Sequence, residues 1–391
     1  MQINTRLAKR LSKVKPSSTL AITSKAKRLK SEGKDVVSFG AGEPDFDTPN
    51  NIKEAACDAL KAGFTKYTPT TGIPELKSLI VEKFKKDNAL EYNPKQIVVS
   101  CGAKHSIFNA IYALIEQGDE VIIPSPFWVS YPEMVNLCQG TIRFINTSAK
   151  SSFKLNAQEL KNNLNPKTKL LILNSPSNPV GCVYTKDELK AIAEICVKNK
   201  IFVLSDEIYE KIIFDGLKHI SIASFNQEIY DLTITVNGLS KSHSMTGWRI
   251  GYSAMHEHIA EAISRIQDHS TSNPSSISQK AAVAALSTGN DFPDKMRIEF
   301  EKRRNYCMER LDKIKKIGYI KPEGAFYIFC DISKTKISSL EFANRLLEDA
   351  LVAVIPGNSF GRDDYIRISF ATSIEQLKKG INRIETWVNK L

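Results

Sequence analysis

The sequence predicts an α/β fold: a large unit built on a mainly parallel seven-stranded sheet flanked by helices, and a smaller α+β unit after it. Three observations carry this expectation. Seven short apolar runs, Ile97–Ser100, Glu120–Ile123, Thr141–Ile145, Lys169–Leu173, Phe202–Ser205, Leu232–Val236 and Ile250–Ala254, alternate with helical stretches. Strands that alternate with helices pair in parallel and are buried on both faces. Nearly every chemically suggestive motif falls at the end of one of these runs, and open α/β sheets collect ligands at the carboxyl ends of their strands. From about Asp291 the alternation gives way to a long helix and then to strand-like segments. With 391 residues, 42% of them hydrophobic, the chain can build more than one core.

Taken in order, Ala21–Ser31 reads as helix and Asp35–Phe39 as a short strand ending in the turn Gly40-Ala-Gly-Glu-Pro-Asp45. That turn is not a dinucleotide fingerprint, because no helix with a third glycine follows. Asn51–Lys61 reads as an amphipathic helix, and the loop Lys66–Pro74 leads into another that runs through Lys86. Ser100-Cys-Gly-Ala-Lys-His105 opens a helix through Leu114, and free amides at a helix start suit a phosphate. Pro124–Tyr131 sets Trp128 among stiffening prolines, and Asn174–Gly181 is rich in turn residues. Ser205-Asp-Glu-Ile-Tyr209 brings an aspartate out of a buried strand, which is costly without a partner. Beyond Ala254, Phe292–Ile317 is a charged amphipathic helix, Pro322–Phe329 is strand-like and Leu340–Ala350 helical. Val352–Phe360 and Tyr365–Ala371 follow, then a closing helix.

Composition excludes several classes of function. No run of eighteen apolar residues exists, so no helix is expected to span a membrane, and no secretory signal is visible. The net charge of +11 comes from 54 basic and 43 acidic residues mixed along the chain, not gathered on one reading element, so no nucleic-acid partner is expected. Cys57, Cys101, Cys138, Cys182, Cys196, Cys307 and Cys330 form neither a CxxC pair nor a framework and read as reduced cytoplasmic thiols. His256-Glu-His258 lacks a third ligand at helical spacing, so no metal is expected there.

One stretch organises the rest. Asn237-Gly-Leu-Ser-Lys-Ser-His-Ser-Met-Thr-Gly-Trp-Arg-Ile-Gly-Tyr252 holds Lys241 among small and hydroxyl residues, with Arg249 eight positions later between Trp248 and Ile250. A buried lysine can lose its proton and attack a carbonyl, and an arginine fork matches a phosphate. The glycines around Arg249 let backbone approach a ligand closely. A ligand with both a carbonyl and a phosphate is expected, and pyridoxal 5'-phosphate has both.

This stretch closely resembles the Schiff-base lysine motif of the aspartate aminotransferase family, fold type I, and the resemblance extends over essentially the whole chain. It implies that Lys241, Asp206 and Tyr209 are catalytic: Lys241 carries the cofactor and moves the proton, Asp206 keeps the pyridine nitrogen protonated, and Tyr209 bonds the phenolic oxygen. It implies further cofactor contacts from Gly102, Ala103, Lys104, Trp128, Asn178, Ser240 and Arg249. Tyr67 would reach the neighbouring subunit's phosphate, which makes the working unit a homodimer with shared sites. Where the family usually has threonine this chain has Val180. For the substrate it implies Arg367 as a two-pronged clamp on the α-carboxylate, with Gly42, Trp128 and Asn178 alongside. The expected division is an arm and part of the small domain over 1–45, a large cofactor domain over 46–290 and a small domain over 291–391.

The side chain transferred is less plainly written. One branch of the family binds the distal carboxylate with a second arginine after the lysine motif, and Asp268–Pro274 has none. Lys104 and Thr19 match instead the lysine and threonine of the branch often called Ib, some members of which transaminate prephenate to arogenate; Lys15 would suit the extra carboxylate. The expected donor is aspartate or glutamate, with prephenate amination and a lyase or synthase on the same fold as alternatives. Residues 1–31 lack acidic residues, as a transit peptide would. They are expected instead to belong to the fold, because Lys15-Pro-Ser-Ser-Thr-Leu20 resembles the arm that begins the family fold. For the same reason no DNA-binding module is expected before Lys15.

Overall fold

A computed structural model describes residues 7–16 and 18–391, the side chains of 18–21 excepted. Its strands are β1 (Val37–Ser38), β2 (Ile97–Ser100), β3 (Glu120–Ser125), β4 (Thr141–Asn146), β5 (Thr168–Asn174), β6 (Phe202–Asp206), β7 (Thr233–Gly238), β8 (Gly251–Ala254), β9 (Gly318–Tyr319), β10 (Tyr327–Asp331), β11 (Val352–Ala353), β12 (Ile355–Pro356) and β13 (Tyr365–Ser369). The seven expected runs form one sheet in the order β2-β8-β7-β6-β5-β3-β4. β8 alone runs antiparallel to its neighbours, and the pairs from β7 to β4 are parallel. Period-two alternation buries both faces. Val98, Leu170, Ile172 and Leu204 pack on one side with the helix Ala103–Leu114. On the other side Ile97 and Val99 join the cluster around Phe84, and Leu171, Leu173 and Val203 join that of the helix Lys186–Asn199.

A second sheet, β12-β13-β10-β9, is antiparallel, and β1 pairs with β11 in parallel, Val37 opposite Val352. Its core draws residues 22–39 from the N-terminal side together with Met296–Val388. Two expected elements are shorter than their sequence suggests. The helix from Asp291 ends at Leu311, where tight turns carry the chain on through Ile314 to Ile317. Residues 322–326 form a turn, because the amides of Glu323 and Gly324 are donated to Gly181 O and only from Tyr327 does the chain join a strand. Gly324 presses against Pro176 and the Ile212 carbonyl, where a side chain would collide.

Candidate active site

The topology gathers the motif residues before any side chain is considered. β7 and β8 are neighbours, so the loop 239–250 between them lies over the end of the sheet and carries Ser240, Lys241 and Arg249. Asp206 ends β6 opposite Val236 of β7, Asn174 ends β5 opposite Asp206, and Ser100 ends β2 opposite Gly251. A cavity of about 600 Å³ opens there, lined by Gly42, Ala103, Lys104, Trp128, Asn178, Asp206, Tyr209, Ser240, Lys241, Arg249 and Arg367 among others.

At one end a helix start meets a cation. Gly102 precedes the helix Ala103–Leu114 with φ +92, and a methyl built on it would overlap the Arg249 guanidinium. One built on Gly251 would overlap the Ala103 amide, so both positions require glycine. The first amides of a helix have no partner within it. Arg249 adopts the left-handed region, φ +55, which side chains seldom occupy. Its Nη1 donates to Thr246 O (2.9 Å) and Nη2 to Cys101 O (3.3 Å). Thus an exposed arginine, two required glycines and a helix N-terminus converge on a site built for an anion.

At the centre, Lys241 Nζ donates to Gly42 O at 2.6 Å. Burial lowers its pKa to about 8, aided by Arg249 and Arg367 and opposed by Glu43 and Asp206. One edge of this side chain still faces the cavity. Asp206 is buried and, among the described residues, forms no ion pair. Burial raises its pKa to about 6, although Tyr131 Oη donates to Oδ2 at 2.6 Å and the Ile208 amide to Oδ1 at 3.3 Å. Tyr209 Oη lies 2.9 Å from Tyr327 Oη. Trp128 meets Tyr131 edge-on at 5.2 Å, and the Lys104 ammonium lies 5.0 Å from the Trp128 ring centre. Burial, and Arg249 after it, lowers the pKa of Lys104.

The third feature comes from β13. Arg367 is 4% exposed. It donates from Nη1 to Asn178 Oδ1 (2.9 Å) and from Nη2 to Gly40 O (3.1 Å), while its Nε has no partner. Among the described residues no carboxylate pairs with it. Burial lowers its pKa, as expected for a cation whose partners are neutral.

Not every expected residue enters the cavity. Tyr67 is 91% exposed and outside it. Lys15 is also outside, its amide donating to Glu133 Oε2 at 2.9 Å. The side chain of Thr19 lies outside the described residues. Among the lining residues that the sequence did not single out are Glu43, Tyr131 and Tyr327. Tyr131 follows Trp128 by one turn at the start of the helix Ser130–Leu137, its amide donating to the Trp128 carbonyl at 3.1 Å; for Tyr327 there was only a hydroxyl within an apolar run. Behind Asp206, the ligand atoms of Glu207, Glu210 and His219 lie within 4.8 Å of one another. They form a hydrogen-bonded network in which Lys83 pairs with Glu210, Asn88 Nδ2 donates to both carboxylates and His219 Nε2 lies 2.8 Å from Glu207 Oε2, while His219 Nδ1 is left without a partner. His256 caps the helix Glu257–Asp268.

The chain matches the family model described as Aminotransferase class I and II over residues 34–384. An aspartate aminotransferase of Bacillus sp. (strain YM-2) is 49% identical over 387 residues, covering 98% of this chain and 99% of the relative. A probable aspartate/prephenate aminotransferase of Aquifex aeolicus is 47% identical over 384 residues, covering 97% and 98%. The crystal structure of an aspartate aminotransferase from Rhizobium meliloti superposes with a TM-score of 0.95 at 40% identity, covering 99% of each chain. That of Thermus thermophilus aspartate aminotransferase with maleate gives 0.94 at 39% identity, covering 97% and 99%.

Proposed function

This chain belongs to the class I and II aminotransferase family and is a transaminase, and from that premise we propose that it uses pyridoxal 5'-phosphate to exchange amino groups between aspartate or glutamate and 2-oxoglutarate or oxaloacetate. The observation that carries this reading is the set of unmatched buried charges around one cavity: Lys241 with a depressed pKa, Asp206 without a cation and Arg367 without a carboxylate. A buried charge is costly until it is paired. The cofactor offers a carbonyl for Lys241, a ring nitrogen for Asp206 and a phosphate for Arg249 with the amides of Gly102, Ala103 and Lys104, and the donors fit it. The substrate α-carboxylate supplies the partner of Arg367.

When bound, the cofactor supplies an electron sink for the pair left at the substrate α-carbon as it gives up its proton. The chain's residues do the rest. Lys241 is the nucleophile and afterwards the base that carries the proton, and a pKa of about 8 leaves its amine partly free near neutrality. Asp206 would hold the ring nitrogen protonated, Tyr209 would donate to the phenolic oxygen and Trp128 would pack on the ring. Asn178 takes Arg367 on its oxygen, which leaves its amide to donate into the cavity. Ser240 lines the anion end. Gly42 offers backbone beside the substrate, and Lys104 a cation for its distal carboxylate; the parts expected of Thr19 and Lys15 rest on the family resemblance alone, since Lys15 lies outside this cavity. Because Tyr67 is exposed and lies outside this cavity, the phosphate contact expected of it would come from the partner subunit, and we infer a homodimer with shared sites and domains near 1–45, 46–290 and 291–391.

The seven free cysteines, five of them buried, suit a reducing cytoplasm; among the described residues no helix is long and apolar enough to cross a membrane. A second reading, amination of prephenate to arogenate, is favoured by Lys27 and Lys30, which line the same cavity as Lys104 and add positive charge for another carboxylate. The test is spectroscopic and then kinetic. Protein loaded with pyridoxal phosphate should be converted to the pyridoxamine form by aspartate alone, which a lyase or synthase on this fold would not accumulate. A panel of oxaloacetate, 2-oxoglutarate and prephenate then ranks the acceptors, and no activity with all three refutes the acidic-substrate reading.

A further inference from the structure

The geometry points to Tyr327 as a positioning residue for the reaction: a phenol carried by the C-terminal sheet that donates to Tyr209 and so holds the Tyr209 hydroxyl toward the cofactor. This rests on the cofactor reading above. The two hydroxyls are 2.9 Å apart, and both residues are buried. Each phenol has one proton to donate. If Tyr209 directs its proton to the phenolic oxygen of the cofactor, the contact between the two tyrosines must use the proton of Tyr327. Tyr209 then accepts from one side and donates on the other, and chained hydrogen bonds of this kind strengthen one another.

The ring of Tyr327 is built to stay in place. The Arg367 guanidinium lies 4.2 Å from its centre, Phe326 packs at 4.7 Å and Tyr209 meets it edge-on at 5.9 Å. Strand register fixes it opposite Ser369, two residues beyond Arg367. Among the described residues its hydroxyl has Tyr209 as its hydrogen-bond partner. The charged groups facing the pair are Asp206 from β6, Arg367 from β13 and Glu43 from the turn after β1. Tyr327 therefore joins the carboxylate clamp to the group that tunes the cofactor.

The sign of the effect follows from competition for one oxygen. With the cofactor bound, a donor on its phenolic oxygen would stabilise that oxygen as an anion, and a proton held at the Lys241 nitrogen would serve the same oxygen. Weaker donation from Tyr209 makes that proton more necessary, so it is held to higher pH. The test is Tyr327→Phe in the cofactor-loaded protein, read as the pH midpoint of the absorbance change of the bound cofactor. The midpoint should rise by about 0.4 to 1 pH unit, the net worth of one hydrogen bond. Tyr209→Phe should raise it at least as far, and the double variant should match Tyr209→Phe alone, because Tyr327 acts through Tyr209. An unmoved midpoint in Tyr327→Phe, or an equal rise when Tyr209 is already phenylalanine, overturns the assignment. A wild-type protein that takes up no pyridoxal phosphate refutes the function itself, a different result from a normal wild-type titration with an inert Tyr327.

Discussion

Asp206 without its cofactor is a buried carboxylate with one strong donor, and its cost can be worked out. Burial raises its pKa from 3.8 to about 6. A difference of about two pH units corresponds to ~3 kcal/mol at 1.36 kcal/mol per unit. Because the folded pKa lies above the unfolded one, the native state holds this proton more tightly. The cost is absent below pH 3.8, grows as pH rises and is complete above about pH 6. Asp206→Asn removes the charge and keeps an oxygen for the Tyr131 hydroxyl, but loses the 3.3 Å contact from the Ile208 amide. That loss subtracts about 1 kcal/mol. The cofactor-free variant should therefore be more stable than wild type by about 2 kcal/mol at pH 8, with the advantage gone near pH 4. Urea unfolding at fixed protein concentration at both pH values measures it. A variant no more stable at pH 8, or with the same advantage at both, would refute the claim that Asp206 is held charged for a ligand. Loaded with cofactor, the order should reverse, since only the carboxylate can hold the ring nitrogen protonated.

Three further outcomes follow from the site. Lys241→Ala should lose the yellow absorbance of the bound cofactor, and a wild type left colourless after addition of pyridoxal phosphate would sink the cofactor reading. Gly102→Ala, which sets a methyl into the Arg249 guanidinium at φ +92, should weaken cofactor affinity at least tenfold, about 1.4 kcal/mol; equilibrium dialysis checks it, and unchanged affinity would remove the helix start from the phosphate site. Lys104→Ala should raise the KM for aspartate far more than for alanine-like donors, and equal effects on both would take this lysine out of substrate recognition.

Much of the site was legible because its chemistry is written in short local segments. Gly102 to Lys104, Asp206 to Tyr209 and Lys241 to Arg249 each lie at the end of a strand whose apolar period announces it, so type and order suffice. The contacts that complete the site join residues far apart in the chain. Tyr131 reaches Asp206 across 75 positions, Tyr209 reaches Tyr327 across 118 and Arg367 reaches Asn178 across 189. No periodicity links such pairs, so Tyr131 and Tyr327 were read only as parts of their segments. Residues 322–326 read as strand for the same reason: their β-like composition is local, whereas the carbonyl of Gly181 that takes their amides is not.

The sequence by itself determined the α/β alternation, the seven strands and the set of residues at their ends, because each is a property of neighbours along the chain. Only the tertiary structure decided that Lys241 titrates near 8, that Asp206 stands without a cation and that Arg367 has neutral partners. The physical reason is desolvation. The energy of a charge is set by everything packed around it in three dimensions, and the residues that exclude water from these three come from the sheet ends, the N-terminal turn and β13 together.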